Sequence, residues 1–197
     1  MRYRNYLFNG RDDAEQVAEE IRQWGGRCAE IKYDIGGPPK SQLAEPYDSF
    51  SHLYYFATCR ISARRTRVFS MALLEEFLRY HVQGFYDLCA ALQNPQRPIS
   101  VFYPSSVYVE GRPKDLTEYG MAKAAGEVLC ADMSRVWPHV KIACERLPRL
   151  HTDQTSSFTP LSYPASVDVL LPIIRRVQAA KLHRPTAAPH ALESMPA

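Results

Sequence analysis

The sequence predicts an α/β domain in which a parallel sheet is flanked by helices. Short apolar runs alternate with longer stretches of helical periodicity, and Gly, Pro or Asn stands at most of the joints. The chain is 197 residues long and 46% hydrophobic, which suits one compact core. A single domain is expected over 1–182, followed by a Pro-, His- and Ala-rich tail over 183–197 with little to pack.

Each element has its own justification. Residues 3–8, YRNYLF, read as a strand that ends at Asn9 and Gly10. Asp12 or Asp13 can cap the helix that follows, in which Ala14, Val17, Ala18 and Ile21 recur at helical spacing until Gly25 and Gly26 stop it. Cys28, Ala29, Ile31 and Tyr33 read as a short strand ending at Asp34, and the Gly and Pro residues of 36–39 as loop. HLYYFAT, 52–58, is a buried strand. A long amphipathic helix spans 70–92, with Leu74, Phe77, Leu78, Phe85 and Leu88 inward, and stops before Pro95 and Pro98. A strand over 99–103 runs into Pro104, Ser105 and Ser106, a second long helix covers about 119–136, and a strand follows over 140–147. The last helix spans 167–180, where Pro172 is expected to introduce a kink.

Composition excludes more than it assigns. A net charge of +3 is too small for a nucleic-acid-binding face. No apolar stretch is long enough to span a bilayer, and the N-terminus does not resemble a secretory leader, so a cytoplasmic protein is expected. The five cysteines, Cys28, Cys59, Cys89, Cys130 and Cys144, are scattered and lack CxxC spacing, which argues for buried thiols and against a disulfide framework or a metal site.

The chemistry concentrates after the strand over 99–103. In parallel α/β sheets ligands sit beyond the carboxyl ends of strands, where Ser105 and Ser106 stand. Tyr119 lies thirteen positions beyond Ser106, and Lys123 follows one helical turn later in YGMAK, on the same helix face. A phenol with a pKa of about 10 is a poor acid or base near neutrality, and a neighbouring ammonium lowers that value. Lys123 is therefore expected to lower the pKa of Tyr119, while the Ser106 hydroxyl stabilises charge on a carbonyl oxygen as hydride arrives or leaves.

The segment SSVYVEGRPKDLTEYGMAKAA resembles the serine, tyrosine and lysine segment of short-chain dehydrogenases/reductases, whose motif is Ser followed by YxxxK. The resemblance implies a Rossmann-like fold and NAD or NADP as cofactor. It implies Ser106, Tyr119 and Lys123 as catalytic residues, with Lys123 also touching cofactor. RYHVQGFYDL resembles the helix in which the family places an asparagine that supports a water chain to the lysine, and His81 stands at that position as a possible proton relay or a structural histidine. HLYYFAT resembles the strand leading to the family's Asn-Ala-Gly turn, with Ala57, Thr58 and Cys59 in its place and Ala57 against cofactor. In RLPRLHTDQT, Thr152 matches a threonine on the nicotinamide side. FNGRDDAEQVAEEIRQWGGRCAEIKYDI resembles the second strand, its helix and the third strand of such reductases, especially polyketide-type ketoreductases. Arg11 would then meet a 2′-phosphate and Asp34 the adenine.

The family's first strand and glycine-rich turn have no counterpart ahead of that second strand, so the domain is expected to be incomplete at its N-terminal nucleotide-binding end. Either a longer parent chain or a partner supplies the missing segment, or residues 3–8 serve as the central strand with Asp34 at the ribose position. Two functions follow. One is an NAD(P)-dependent ketoreductase, whose more pointed form acts on a substrate held by an acyl carrier protein that docks on the basic residues 60–67, RISARRTR. The other is a pseudoenzyme or structural subdomain that works through a partner. The family resemblance also implies a homodimer through the two long helices, with Val82, Phe85, Leu88, Leu129 and Met133 as either contact or core.

Overall fold

The computed structural model describes residues 11–43, 50–61, 68–150 and 164–179. Helix α1 spans Arg11–Gln23. It ends as the sequence suggests: Gly25 takes φ +75°, its N–H donates to the Arg22 carbonyl, and Gly26 N–H donates to the Ile21 carbonyl. That paired closure needs a left-handed residue, which glycine supplies without a Cβ clash. A short helix α2 (Pro39–Gln42) and a three-residue strand β1 (His52–Tyr54) follow.

Ser70 caps the next helix, its hydroxyl accepting from Leu73 N–H at 3.3 Å. The helical run then passes through α3 (Met71–Leu78), a π-helical segment (Arg79–Gly84) and α4 (Phe85–Leu92). A π turn loosens the normal carbonyl ladder, and here two phenols take up the slack. The Tyr55 hydroxyl donates to the Tyr80 carbonyl at 2.6 Å and the Tyr103 hydroxyl to the His81 carbonyl at 3.0 Å. After this run come β2 (Ile99–Ser106), a one-turn helix α5 (Tyr108–Gly111), the long α6 (Thr117–Val136), β3 (Val140–Leu147) and α7 (Ser166–Ala179).

The three strands form a parallel Rossmann-like sheet in the order β1-β2-β3. Strand β2 is central and every one of its residues is buried. Its alternation divides the core. Val101 and Tyr103 face α4 and α6, packing with Phe85, Leu88, Cys130 and Met133, whereas Phe102 faces α7 and meets Ile173 and Val177. Helices thus cover both faces, as a parallel sheet requires.

Several expectations need correction. Residues 26–34 belong to no helix or strand among the described residues, so the strand expected from Cys28 to Tyr33 does not form with any of them. Tyr33 and Ile35 instead pack on the core, with Ile35 beside Gly84. The Gly and Pro stretch contains α2, and β1 stops at Tyr54, although Tyr55 N–H still reaches the Phe102 carbonyl at 3.0 Å. Helix α7 starts one residue earlier than expected and contains Pro172 within its span. Phe85, Leu88 and Met133, offered as contact or core, are buried in this chain's own core. The strand expected over 3–8 and the tail over 183–197 lie outside the described residues. Among the described residues no helix is long and apolar enough to cross a membrane.

Candidate active site

The C-terminal end of β2 meets the start of α6. Glu118 sits in the first turn of α6, fully buried, and its carboxylate accepts from Ser70 N–H at 2.7 Å. The first turns of α3 and α6 are thereby tied to each other. Gly120 lets the chain after β2 come close, because a Cβ there would stand 3.0 Å from the Tyr108 carbonyl. Between these two restraints Tyr119 is held in an aromatic box, edge-on to Phe77 at 5.4 Å, His81 at 5.6 Å and Tyr108 at 6.4 Å between ring centroids.

Ser106, Tyr119 and Lys123 converge. The Ser106 hydroxyl accepts from Tyr108 N–H at 3.2 Å and is hydrogen-bonded to Tyr119. Lys123 is 4% exposed; its Nζ donates to the Pro104 carbonyl at 2.6 Å and lies 5.0 Å from the Tyr103 ring centroid and 5.7 Å from that of Tyr119. Two ring faces and one carbonyl thus stabilise a buried ammonium.

The electrostatics depart from the expectation that Lys123 depresses the tyrosine. Burial pushes the Tyr119 phenol up to about 12, and the Ser106 hydrogen bond opposes that rise only in part. Burial likewise draws Lys123 down to about 7. Desolvation is the dominant influence on both groups and outweighs any attraction between them.

His81 completes the cluster from the π segment. It is 1% exposed, stacks on Phe77 at 6.0 Å and brings Nε2 to 3.4 Å from Thr58 Oγ1. Its Nδ1 has no hydrogen-bond partner among the described residues. Burial first, and Lys123 second, hold its pKa well below the usual imidazole value, so the ring is neutral.

A second network behind Ser106 gave no signal in the sequence beyond the helical spacing of Glu127 from Lys123. Ser105 Oγ donates to Glu127 Oε1 at 2.5 Å, and Arg146 grips the same carboxylate through Nε at 2.7 Å and Nη2 at 2.6 Å. Arg146 also pairs with Glu110. The fork holds the Glu127 carboxyl below its ordinary range. The end of β2, the middle of α6 and the end of β3 are thus fixed together beside the serine.

No protein-family model and no curated protein matches the sequence. Solved structures do. The FolM alternative dihydrofolate reductase 1 from Brucella canis, complexed with NADP, is similar at a TM-score of 0.63 and 14% identity over 77% of this chain and 64% of that one. Gluconate 5-dehydrogenase from Burkholderia cenocepacia, in complex with NADP and tartrate, gives 0.61 and 16% over 77% and 62%. A 3-oxoacyl (acyl-carrier-protein) reductase from Agrobacterium tumefaciens with NADP bound gives 0.59 and 15% over 77% and 60%. The chain has the fold of the short-chain dehydrogenases/reductases. It spans less than two thirds of the length of these three structures.

Within that short-chain dehydrogenase/reductase fold, the residues present fit a dinucleotide unevenly. The reacting end fits, because a serine and a tyrosine hydroxyl are bonded beside a buried lysine and close to Thr58, whose hydroxyl donates to the Cys59 carbonyl at 3.0 Å. The glycine-rich turn that would receive the pyrophosphate is not among the described residues. Ala57, after β1, packs against the main core cluster. Asp34 is occupied locally, its carboxylate accepting from Gly36 N–H at 3.0 Å while Gln42 bridges its backbone N–H at 2.6 Å and carbonyl at 2.9 Å. Arg11 is the first residue of α1, but its side chain lies outside what the structure describes, and Thr152 lies outside the described residues.

Proposed function

We propose that the chain is the catalytic part of an NAD(P)-dependent carbonyl reductase. The Ser106 to Tyr119 hydrogen bond beside Lys123 is the observation that carries this reading. Burial keeps the Tyr119 phenol protonated near neutrality, which suits it as the proton donor in carbonyl reduction. When bound, the nicotinamide supplies hydride to the carbonyl carbon. Ser106 orients the carbonyl oxygen and Tyr119 gives it a proton. Lys123, drawn down to about 7, is a stronger acid than the phenol and can return that proton downhill, and neutral His81 adds no competing charge.

Isothermal titration with NADPH and NADH tests the binding half of this reading, and heat with either nucleotide is expected. Tyr119→Phe should then lower kcat by about 10²- to 10⁴-fold with nucleotide affinity unchanged. Unchanged turnover would remove Tyr119 from the role.

As the finer substrate class we propose a ketone carried as a thioester by an acidic carrier protein. Its support is the basic run 60–67, most of which lies outside the described residues, and the fold likeness to a reductase named for such a carrier. Binding to a carrier protein that survives joint replacement of Arg64, Arg65 and Arg67 by Glu would end that proposal.

A second reading, a fold that no longer binds nucleotide and acts through a partner, is favoured by one observation. The Asp34 carboxylate, expected at the adenine or ribose, is taken up within its own loop by Gly36 N–H. Absence of heat with both nucleotides would select it for this chain.

A further inference from the structure

Two thiols face each other behind the lysine. Cys144 lies opposite Tyr103 in the β2-β3 register and therefore projects to the same side of the sheet, the side that α6 covers. Cys130 stands one helical turn beyond Gly126, which packs on the Tyr103 ring, and it is 3% exposed. The Cys130 and Cys144 thiols are hydrogen-bonded to each other. Cys144, on the edge strand of the described sheet, is exposed, so one member of the pair is open to solvent and the other is shielded.

We propose that Cys130 and Cys144 form an oxidation site at which a hydroperoxide converts the pair to an intramolecular disulfide linking α6 to β3. Cys144 is the member of the pair open to solvent, so its sulfur meets the hydroperoxide first and is the attacking one. Its thiolate attacks the terminal oxygen of the hydroperoxide. The O–O bond breaks, an S–O bond forms, and the alcohol leaves with a proton from water, giving a sulfenic acid at Cys144. The Cys130 sulfur then attacks that sulfur. An S–S bond forms, the S–O bond breaks, and hydroxide departs with the Cys130 proton as water. Two electrons pass from the two sulfurs to the peroxide, which is reduced to alcohol and water.

The pair also touches the active site. Both thiols lie near enough to Lys123 to interact with it electrostatically. Both the chemistry and its test are independent of nucleotide binding and turnover.

Trypsin separates the two cysteines cleanly, releasing AAGEVLCADMSR (124–135) and IACER (142–146). The native chain, treated with tert-butyl hydroperoxide, alkylated and digested, is expected to lose both alkylated peptides in parallel and to yield the linked pair by mass spectrometry. Reductant should restore both. In Cys130→Ser, Cys144 should stop at the sulfenic acid and take up dimedone. The proposal is overturned if the two peptides stay separately alkylated at peroxide levels that oxidise Cys28. It is equally overturned if Cys144 pairs with another cysteine.

Discussion

The stretch from β1 to β3 and the stretch from α1 to α2 contrast sharply, although the sequence gives both the same alternation of apolar runs and helical periods. From β1 to β3 each strand has a parallel neighbour, the central one is buried throughout, and two phenols peg the widened turn of the helix laid over it. From α1 to α2, one helix buries Ala18, the segment after it leans on the core through Tyr33 and Ile35, and no ladder forms among the described residues. Apolar alternation therefore states a capacity for pairing, and a strand appears only where a partner strand is within reach.

That contrast can be broken where it is strongest. Phe85→Ala, at a fully buried ring packed on Tyr55 and Tyr103, should cost about 3 to 5 kcal/mol in urea unfolding. Gly126→Ala is the subtler version: its Cβ would collide with the Tyr103 hydroxyl and displace it from the His81 carbonyl, at a cost of about 1 to 3 kcal/mol. Near-neutral results for both would abolish the distinction between the two stretches.

The site sharpens it through pH. Lys123 binds a proton less well folded, at about 7, than unfolded, near 10.5, so the unfolded chain holds more protons between those values and folding stability should rise across that window. Tyr119 acts oppositely, since its rise from 10.0 to about 12 makes stability fall with pH between those values. Urea midpoints should therefore climb from near pH 7 to about pH 9, above which the buried Cys59 and Cys89 thiols, held above their ordinary values, and then Tyr119 make them decline. Lys123→Met should flatten the climb, by on the order of 1 to 3 kcal/mol. A climb that persists in that variant would mean another group carries it. The smallest effect belongs to the other stretch: Trp24 is 90% exposed, and Trp24→Ala should stay within about 0.5 kcal/mol of the parent.

Much of the β1 to β3 stretch was legible because its signals are local. Pro95 and Pro98 closed a helix whose inward positions Leu74, Phe77, Phe85 and Leu88 are evenly spaced, and the run 99–103 could only be a buried strand. The convergence of Ser106, Tyr119 and Lys123 was legible for the same reason, since strand end and helical turn fix it. Less was legible where the outcome depends on distant contacts. Nothing around Cys28 and Tyr33 states whether a neighbouring strand exists. The π winding at Arg79–Gly84 leaves no mark in composition, and the bond from Glu118 to Ser70 spans two helices. The sign of the Tyr119 shift was misjudged because one-dimensional spacing shows the nearby lysine but not the depth of burial.

The widened turn at Arg79–Gly84 bears on how distant sequences should be aligned with this one. Helices normally tolerate no gap, because one residue more or fewer rotates everything downstream by about 100°. A wide turn already absorbs such a residue, so an indel of length one is physically admissible between 79 and 84 and nowhere else in that helical run. Homologues that lack it would be expected to lack at least one of the two phenols as well.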